Sequence, residues 1–321
     1  VDLDYASPVT REVMRKFLIR LARSRPKMIR LDAFAYTTIE LGTNCFFREP
    51  AVWELLEWFS GFTAPFEVEI LPEVHEHYSY QLKLAEHDYW TYDFALPMLM
   101  LHTLYHHTNQ ELLEWLRICP RRQITTLDTH DGLGVVDVAE LMSQAAIDRT
   151  IEGLYQKGSN IKRIYSGEAY QNLDIYQVNC TYYSALGGSD DAYLAARAIQ
   201  FFCPGIPQVY YVGLLAGSND IELVERTKNG RDINRHSYDL DEIDQEMQRP
   251  VVQRLLRLMT FRSHYPAFNG NFKIEETPED QIGLTWRKGR FMTTLHADLN
   301  SYETRIVYYD ATVDTRKRLV V

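Results

Sequence analysis

Residues 28–33 read Met28-Ile29-Arg30-Leu31-Asp32-Ala33, a short apolar run that carries one arginine and closes on an aspartate. Val68-Glu69-Ile70-Leu71-Pro72-Glu73 repeats the plan and closes on a glutamate. Apolar runs this short, bounded by a turn residue or a charge, read as buried strands. Each is followed by a stretch of helical spacing: Pro50 to Phe59 after the first, with proline near a first-turn position, and Tyr78 to Ala85 after the second. Two more units follow. Tyr89 to Phe94 is a strand ahead of one long helical region from about Pro97 to Leu116. Ile124-Thr125-Thr126-Leu127, rich in β-branching, closes on Asp128-Thr129-His130-Asp131-Gly132. Strand–helix units in series imply parallel strands joined by right-handed crossovers. No glycine-rich phosphate fingerprint follows these strands, so a dinucleotide-binding sheet is disfavoured. The pattern predicts the C-terminal part of a (β/α)8 barrel, an α/β architecture whose strand ends open onto one face.

Outward from this core, residues 9–23 read as a helix with Val9, Val13, Phe17, Leu18 and Leu21 on one face and basic residues opposite. Residues 132–190 read as a long excursion at the active-site face, with a helix from Ser143 to Leu154. A helix is predicted over Ala192 to Phe202, a strand over Ile206 to Val212 and a helix over Pro250 to Phe261. From about Asn271 the texture turns to alternation, as in Phe272-Lys273-Ile274-Glu275 and Gly283-Leu284-Thr285-Trp286-Arg287, and predicts a small antiparallel β domain. The expected division is 1–131, 132–190, 191–266 and 267–321. Barrel strands fall near 28, 68, 90, 124 and 206, five of the eight that closure needs. With Val1 in place of a starting methionine, a fragment lacking its N-terminal part is the simplest reading. A missing signal peptide then says little.

Of the 321 residues 45% are hydrophobic and 24% charged, the balance of a globular protein with a sizeable core. The net charge of -10 makes duplex nucleic acid a poor partner, although a local pocket can still take an anion. No run is apolar enough to span a membrane. Cys45, Cys119, Cys180 and Cys203 fit no zinc or redox spacing and read as thiols of a reducing, cytoplasmic compartment. The 21 tyrosines and 5 tryptophans suit sugar platforms, though each one alone is better read as core or surface.

Cleaving a glycosidic bond with retention needs two carboxyl groups ~5–5.5 Å apart. Adjacent strands lie ~4.8 Å apart, so acids at their tips can meet that spacing. Asp32 and Glu73 end consecutive units and qualify; Asp131 could face them. Arg30 shares a strand face with Asp32 and favours its ionised form. Any one of these acids alone could be a helix cap or a solvated loop residue. His75 and His77 resemble a metal pair, but their spacing is not that of a helical zinc site.

Three strings, Ile29-Arg30-Leu31-Asp32-Ala33, Leu71-Pro72-Glu73-Val74-His75 and Thr129-His130-Asp131, resemble the catalytic regions of the α-amylase superfamily of glycoside hydrolases. Longer ones, Tyr92-Asp93-Phe94-Ala95-Leu96-Pro97, Asn172-Leu173-Asp174-Ile175-Tyr176-Gln177-Val178-Asn179 and Gly230-Arg231-Asp232-Ile233-Asn234-Arg235-His236, are similar to its sucrose phosphorylase branch. The resemblance implies Asp32 as nucleophile, Glu73 as acid/base and Asp131 as transition-state stabiliser. It implies substrate contacts from Arg30, His75, His130 and Arg235, and an acceptor loop carrying Asp174, Tyr176 and Gln177. Its substrates would be sucrose, or a related α-glucoside, and inorganic phosphate, with no cofactor and no metal. A homodimer is compatible with it. Alternatives within the superfamily are phosphorylases of sucrose 6′-phosphate, glucosylglycerol or glucosylglycerate, or a glucosidase or transglucosidase. A non-catalytic amylase-like binding subunit is disfavoured because all three acids are present.

Overall fold

The computed structural model describes residues 3–157, 177–310 and 314–320. These fall into two compact units, one formed by Val1–Tyr92 with Arg122–Ile124 and the other by Asp93–Arg121 with Thr125–Val321.

The first unit contains α1 (Pro8–Arg23), β1 (Met28–Leu31), α2 (Ala51–Thr63), β2 (Glu69–Pro72) and α3 (Ser79–Glu86). It also holds the first residues of β3 (Thr91–Asp93) and β4 (Gln123–Thr125). Strands β1 and β2 run parallel, with Arg30 opposite Leu71 and Leu31 opposite Pro72. The Thr91 N–H donates to the Arg122 carbonyl at 3.2 Å, which starts the next pairing. Helix α2 buries Val52, Leu55, Leu56 and Phe59, the i, i+3, i+4, i+7 face of an amphipathic helix. Full burial of such side chains is worth about 1.5–3 kcal/mol each. They pack with Phe34, Leu18 and Ile70 in one core, where Phe34 meets Phe59 edge-on at 6.0 Å.

Helix α1 departs from expectation. It buries Leu18 and Ala22, while Val9, Val13, Phe17 and Leu21 stand 44–73% exposed. The i+4 spacing does define one face, but α2 packs on the row beside it, through Leu18 and Ala22.

The second unit opens with α4 (Leu96–His106) and α5 (Gln110–Ile118). Leu96 to Leu104 are all buried, so α4 is a core helix without a polar face. The long helical region expected here is two helices with a break between them. His107 adopts φ 54° and places its Nδ1 2.6 Å from the Leu299 carbonyl oxygen, and the Asn109 amide donates to the Pro278 and Gln281 carbonyls. These tertiary bonds need the chain to turn where local periodicity would continue.

Next come β5 (Leu133–Gly134), α6 (Gln144–Gln156), β6 (Gln177–Val178), α7 (Tyr182–Ala185) and α8 (Asp190–Phe202). Strands β5 and β6 pair antiparallel. Then follow β7 (Ile206–Pro207), α9 (Tyr211–Leu214), α10 (Ile221–Thr227), α11 (Leu240–Glu246) and α12 (Pro250–His264). The strand expected over 206–212 is only β7. Gln208 pairs with the Thr125 carbonyl at 2.8 Å, and the chain then turns as the Tyr210 N–H reaches the Asp128 carboxylate at 3.4 Å. Beneath that turn is a buried ion pair. The Arg197 guanidinium lies 2.5 Å from Asp128 Oδ2 and donates to Tyr193 and Gln200 at 3.0 and 2.9 Å. Gly213 abuts it so closely that a Cβ there would lie 1.9 Å from Asp128 Oδ2.

The unit ends in β8 (Asn271–Ile274), β9 (Gln281–Lys288), β10 (Phe291–Asp298), β11 (Thr304–Asp310) and β12 (Thr315–Val320). They form one antiparallel sheet in the order β12-β11-β10-β9-β8. Alternation places Thr293, Leu295 and Ala297 inward, and Trp286 Nε1 donates to the Phe202 carbonyl at 2.8 Å, tying the sheet to α8. Among the described residues no helix is long and apolar enough to cross a membrane.

Candidate active site

The expected acids lie where the strands end. In the first unit the β1–β2 register carries past the strands: the Glu73 N–H donates to the Leu31 carbonyl at 2.9 Å, and the Phe34 N–H to the Glu73 carbonyl at 3.2 Å. Asp32 and Glu73 thus emerge side by side from adjacent parallel strands. One guanidinium serves both. Arg30 Nη1 lies 2.5 Å from Asp32 Oδ1 and Nη2 lies 2.5 Å from Glu73 Oε1. The second oxygen of Glu73 accepts the Ala33 N–H at 2.9 Å, an amide aimed there by a left-handed backbone at Ala33, φ 45°. Asp32 is open, with 73% of its side chain exposed, whereas Glu73 retains 12%. Partial burial works against the charge on Arg30, but Glu73 and Asp32 outweigh it and raise its pKa. Tyr92, 5.9 Å under the guanidinium, is pushed up by burial, with Arg30 opposing, so its hydroxyl keeps its proton. His75 follows two residues after Glu73, half-buried on the same loop.

The third acid belongs to the second unit. Asp131 follows β4 on a tight turn, with its N–H donating to Thr129 Oγ1 at 3.0 Å. Its side chain is 17% exposed, with the cations of Arg231 at 3.3 Å and Arg235 at 3.8 Å beside it and His130 Nε2 at 3.5 Å. The turn is laced from outside. The Asn234 amide donates to the Thr129 and Asp131 carbonyls, both at 3.0 Å, and Arg235 Nε to the His130 carbonyl at 2.9 Å. Gln177 Oε1 accepts the Gly132 N–H at 3.2 Å. Gly132 is required by close approach, since a Cβ would lie 2.5 Å from Asn179 Oδ1.

Asp174 and Tyr176 lie outside the described residues. Asp93, which shares the strand-end pattern, is fully buried and binds Trp115 Nε1 and the Leu96 N–H at 3.0 Å each, so it is part of the core. Asn234 and Arg231 were missed by the sequence reading. Both sit in the string that contains Arg235, but only the fold shows which of its side chains reach the turn.

No family model matches the chain. A sucrose phosphorylase of Streptococcus mutans is 48% identical over 317 residues, 98% of this chain. A glucosylglycerol phosphorylase of Marinobacter adhaerens is 44% identical over 318 residues, also 98% of the chain. The crystal structure of a sucrose 6F-phosphate phosphorylase from Thermoanaerobacter thermosaccharolyticum superposes with a TM-score of 0.92 at 46% identity, covering 99% of this chain and 65% of that one. The chain belongs to the sucrose phosphorylase family. It spans 66% of the length of both curated relatives. An α-amylase from H. orenii matches at TM-score 0.61 and 14% identity, over 93% of this chain and 56% of its own, which places the phosphorylase family on the amylase barrel fold. The sequence is thus the C-terminal part of that barrel with the β domain behind it.

Proposed function

We propose that the protein is a retaining glycoside phosphorylase that converts sucrose and inorganic phosphate to α-D-glucose 1-phosphate and fructose. The observation that carries this reading is the pairing of Asp32 and Glu73 at adjacent strand ends in a chain of this family. Asp32 attacks the anomeric carbon as the bond to the fructose oxygen breaks, and Glu73 gives that oxygen its proton. Phosphate oxygen then displaces Asp32 from the glucosyl ester, and Glu73 takes the proton that phosphate loses. Glu73 must be protonated for the first step, so Arg30 leaves its Oε1 once sucrose is bound. With a third of its side chain exposed, Arg30 has room to do so. Asp131, held by its cations, grips sugar hydroxyls and stabilises the oxocarbenium-like transition state. Arg30, His75, His130 and Arg235 contact substrate, and Asp174, Tyr176 and Gln177 serve the acceptor. The protein works in the cytoplasm on this reading, in keeping with its cysteine spacing.

A product assay tests it. Sucrose with phosphate should give glucose 1-phosphate and fructose in equal amounts. Release of glucose alone, at a rate indifferent to phosphate, would mean a hydrolase. Asp32→Asn should lower kcat by more than about 10³-fold, as loss of a nucleophile does. The close fit to the sucrose 6F-phosphate enzyme favours one second reading, so kcat/KM for sucrose and sucrose 6′-phosphate should be compared directly.

A further inference from the structure

The Asp131 turn is held by a segment that is itself held. Residues 230–236 present Asn234 and Arg235 to the carbonyls of Thr129, His130 and Asp131. On either side of that pair the segment is gripped by one residue, Asp220. Its N–H donates to the Ile233 carbonyl at 2.8 Å, and its Oδ2 lies 2.5 Å from His236 Nδ1. Asp220 is rigid in turn, because its Oδ1 accepts the Leu223 N–H at 2.8 Å as the N-cap of α10. On the other side of the imidazole, Nε2 lies 3.5 Å from Glu242 Oε1. Glu242 is fixed by the capping box of α11, giving one bond to Asp239 Oδ1 and taking one from the Asp239 N–H. The Tyr211 hydroxyl donates to the His236 carbonyl at 2.7 Å, and the Tyr238 ring packs edge-on at 4.5 Å.

We propose that His236 and Asp220 form a positioning latch for the Asp131 turn, with His236 bridging Asp220 and Glu242 as an imidazolium. A neutral imidazole has one N–H and can donate to one carboxylate; only the charged ring donates to both. The other charges facing it are Arg226, which acts on Asp220 from α10, and Glu222, Glu246 and Arg249, which line the same cleft of roughly 510 Å³. Partial burial works against the charged ring, but Asp220 and then Glu242 prevail and hold its pKa above 6.5. The sign follows. A histidine raised in the folded state gives its full contribution below the pKa of the free side chain and loses it as pH rises through the folded value. The latch is closed in mild acid and slackens as pH rises through that raised value. Asn234 and Arg235 then hold the turn less firmly, and the stabiliser loses its fixed position. The latch depends on the proposed function only for what Asp131 does.

The test is an NMR titration of this chain from about pH 5.5 to 9 that follows the His236 ring together with the amides of Thr129 to Gly132. The ring should titrate above 6.5, and the four amides should share its midpoint. Asp220→Asn keeps the cap and should lower that midpoint. His236→Gln should remove the inflection from all four amides. Amides that stay flat while the ring titrates, or that keep their inflection in His236→Gln, overturn the latch. If the titration behaves as described and the protein still makes no glucose 1-phosphate, the phosphorylase reading fails and the latch stands.

Discussion

Arg30 is one guanidinium between two acids. Its contact with Asp32 was legible, because residues two apart on a strand share a face. Its contact with Glu73 was not, because that depends on the register of β1 on β2, which no local pattern encodes. Asp93 shows the reverse case. It ends a strand as Asp32 does, yet it lies in the core, and a residue's depth is set by what the fold stacks above it. Burial pushes the Asp93 carboxyl up to about 7 from 3.8, with the Trp115 indole and the Leu96 and Ala95 amides opposing. An acid raised this way is best accommodated protonated. Its contribution to stability should therefore be fully present below about pH 4, be lost as pH rises towards 7 and level off above it. Asp93→Asn should flatten that slope in chemical denaturation measured at pH 4, 5.5 and 7.5; an unchanged slope would assign the titration to another group.

At the scale of elements, spacing predicted α2, α6, α8, α12 and the strands β8 and β9 within a few residues, because each buries one face at its own period. It failed at the α4–α5 break and after β7, where hydrogen bonds to residues distant in sequence turn the chain. The Asp128–Arg197 pair is such a tertiary element. Arg197→Met should cost about 3–5 kcal/mol by leaving Asp128 buried without its cation. Changing both partners to apolar residues of similar volume should cost much less, a double-mutant comparison that thermal melts can make. The exposed row on α1 predicts the opposite. Val9→Lys and Phe17→Lys should each move stability by no more than about 0.5 kcal/mol, since neither contributes to the core. A larger loss in a urea melt would mean that the row is covered in solution.

For the whole molecule, two compact units imply that unfolding need not be a single step. Trp53 and Trp58 report the first unit and Trp115 and Trp286 the second, so single-tryptophan variants followed in urea should give midpoints that differ, with the smaller first unit opening earlier. Coincident curves would mean one cooperative fold. The barrel class was legible because strand–helix units recur in series, and the positions of Asp32 and Glu73 because each follows a short apolar run. The lacing of the Asp131 turn was not, since Asn234 and Arg235 reach it across more than a hundred positions of sequence. That dependence has an evolutionary side at Gly213. Any side chain there would press into Asp128 Oδ2 and the Arg197 guanidinium. A saturation library at codon 213 should return glycine alone, a blank column in a mutational landscape at a residue assigned no contact with substrate. Adaptive walks are therefore closed at this position and must pass through others.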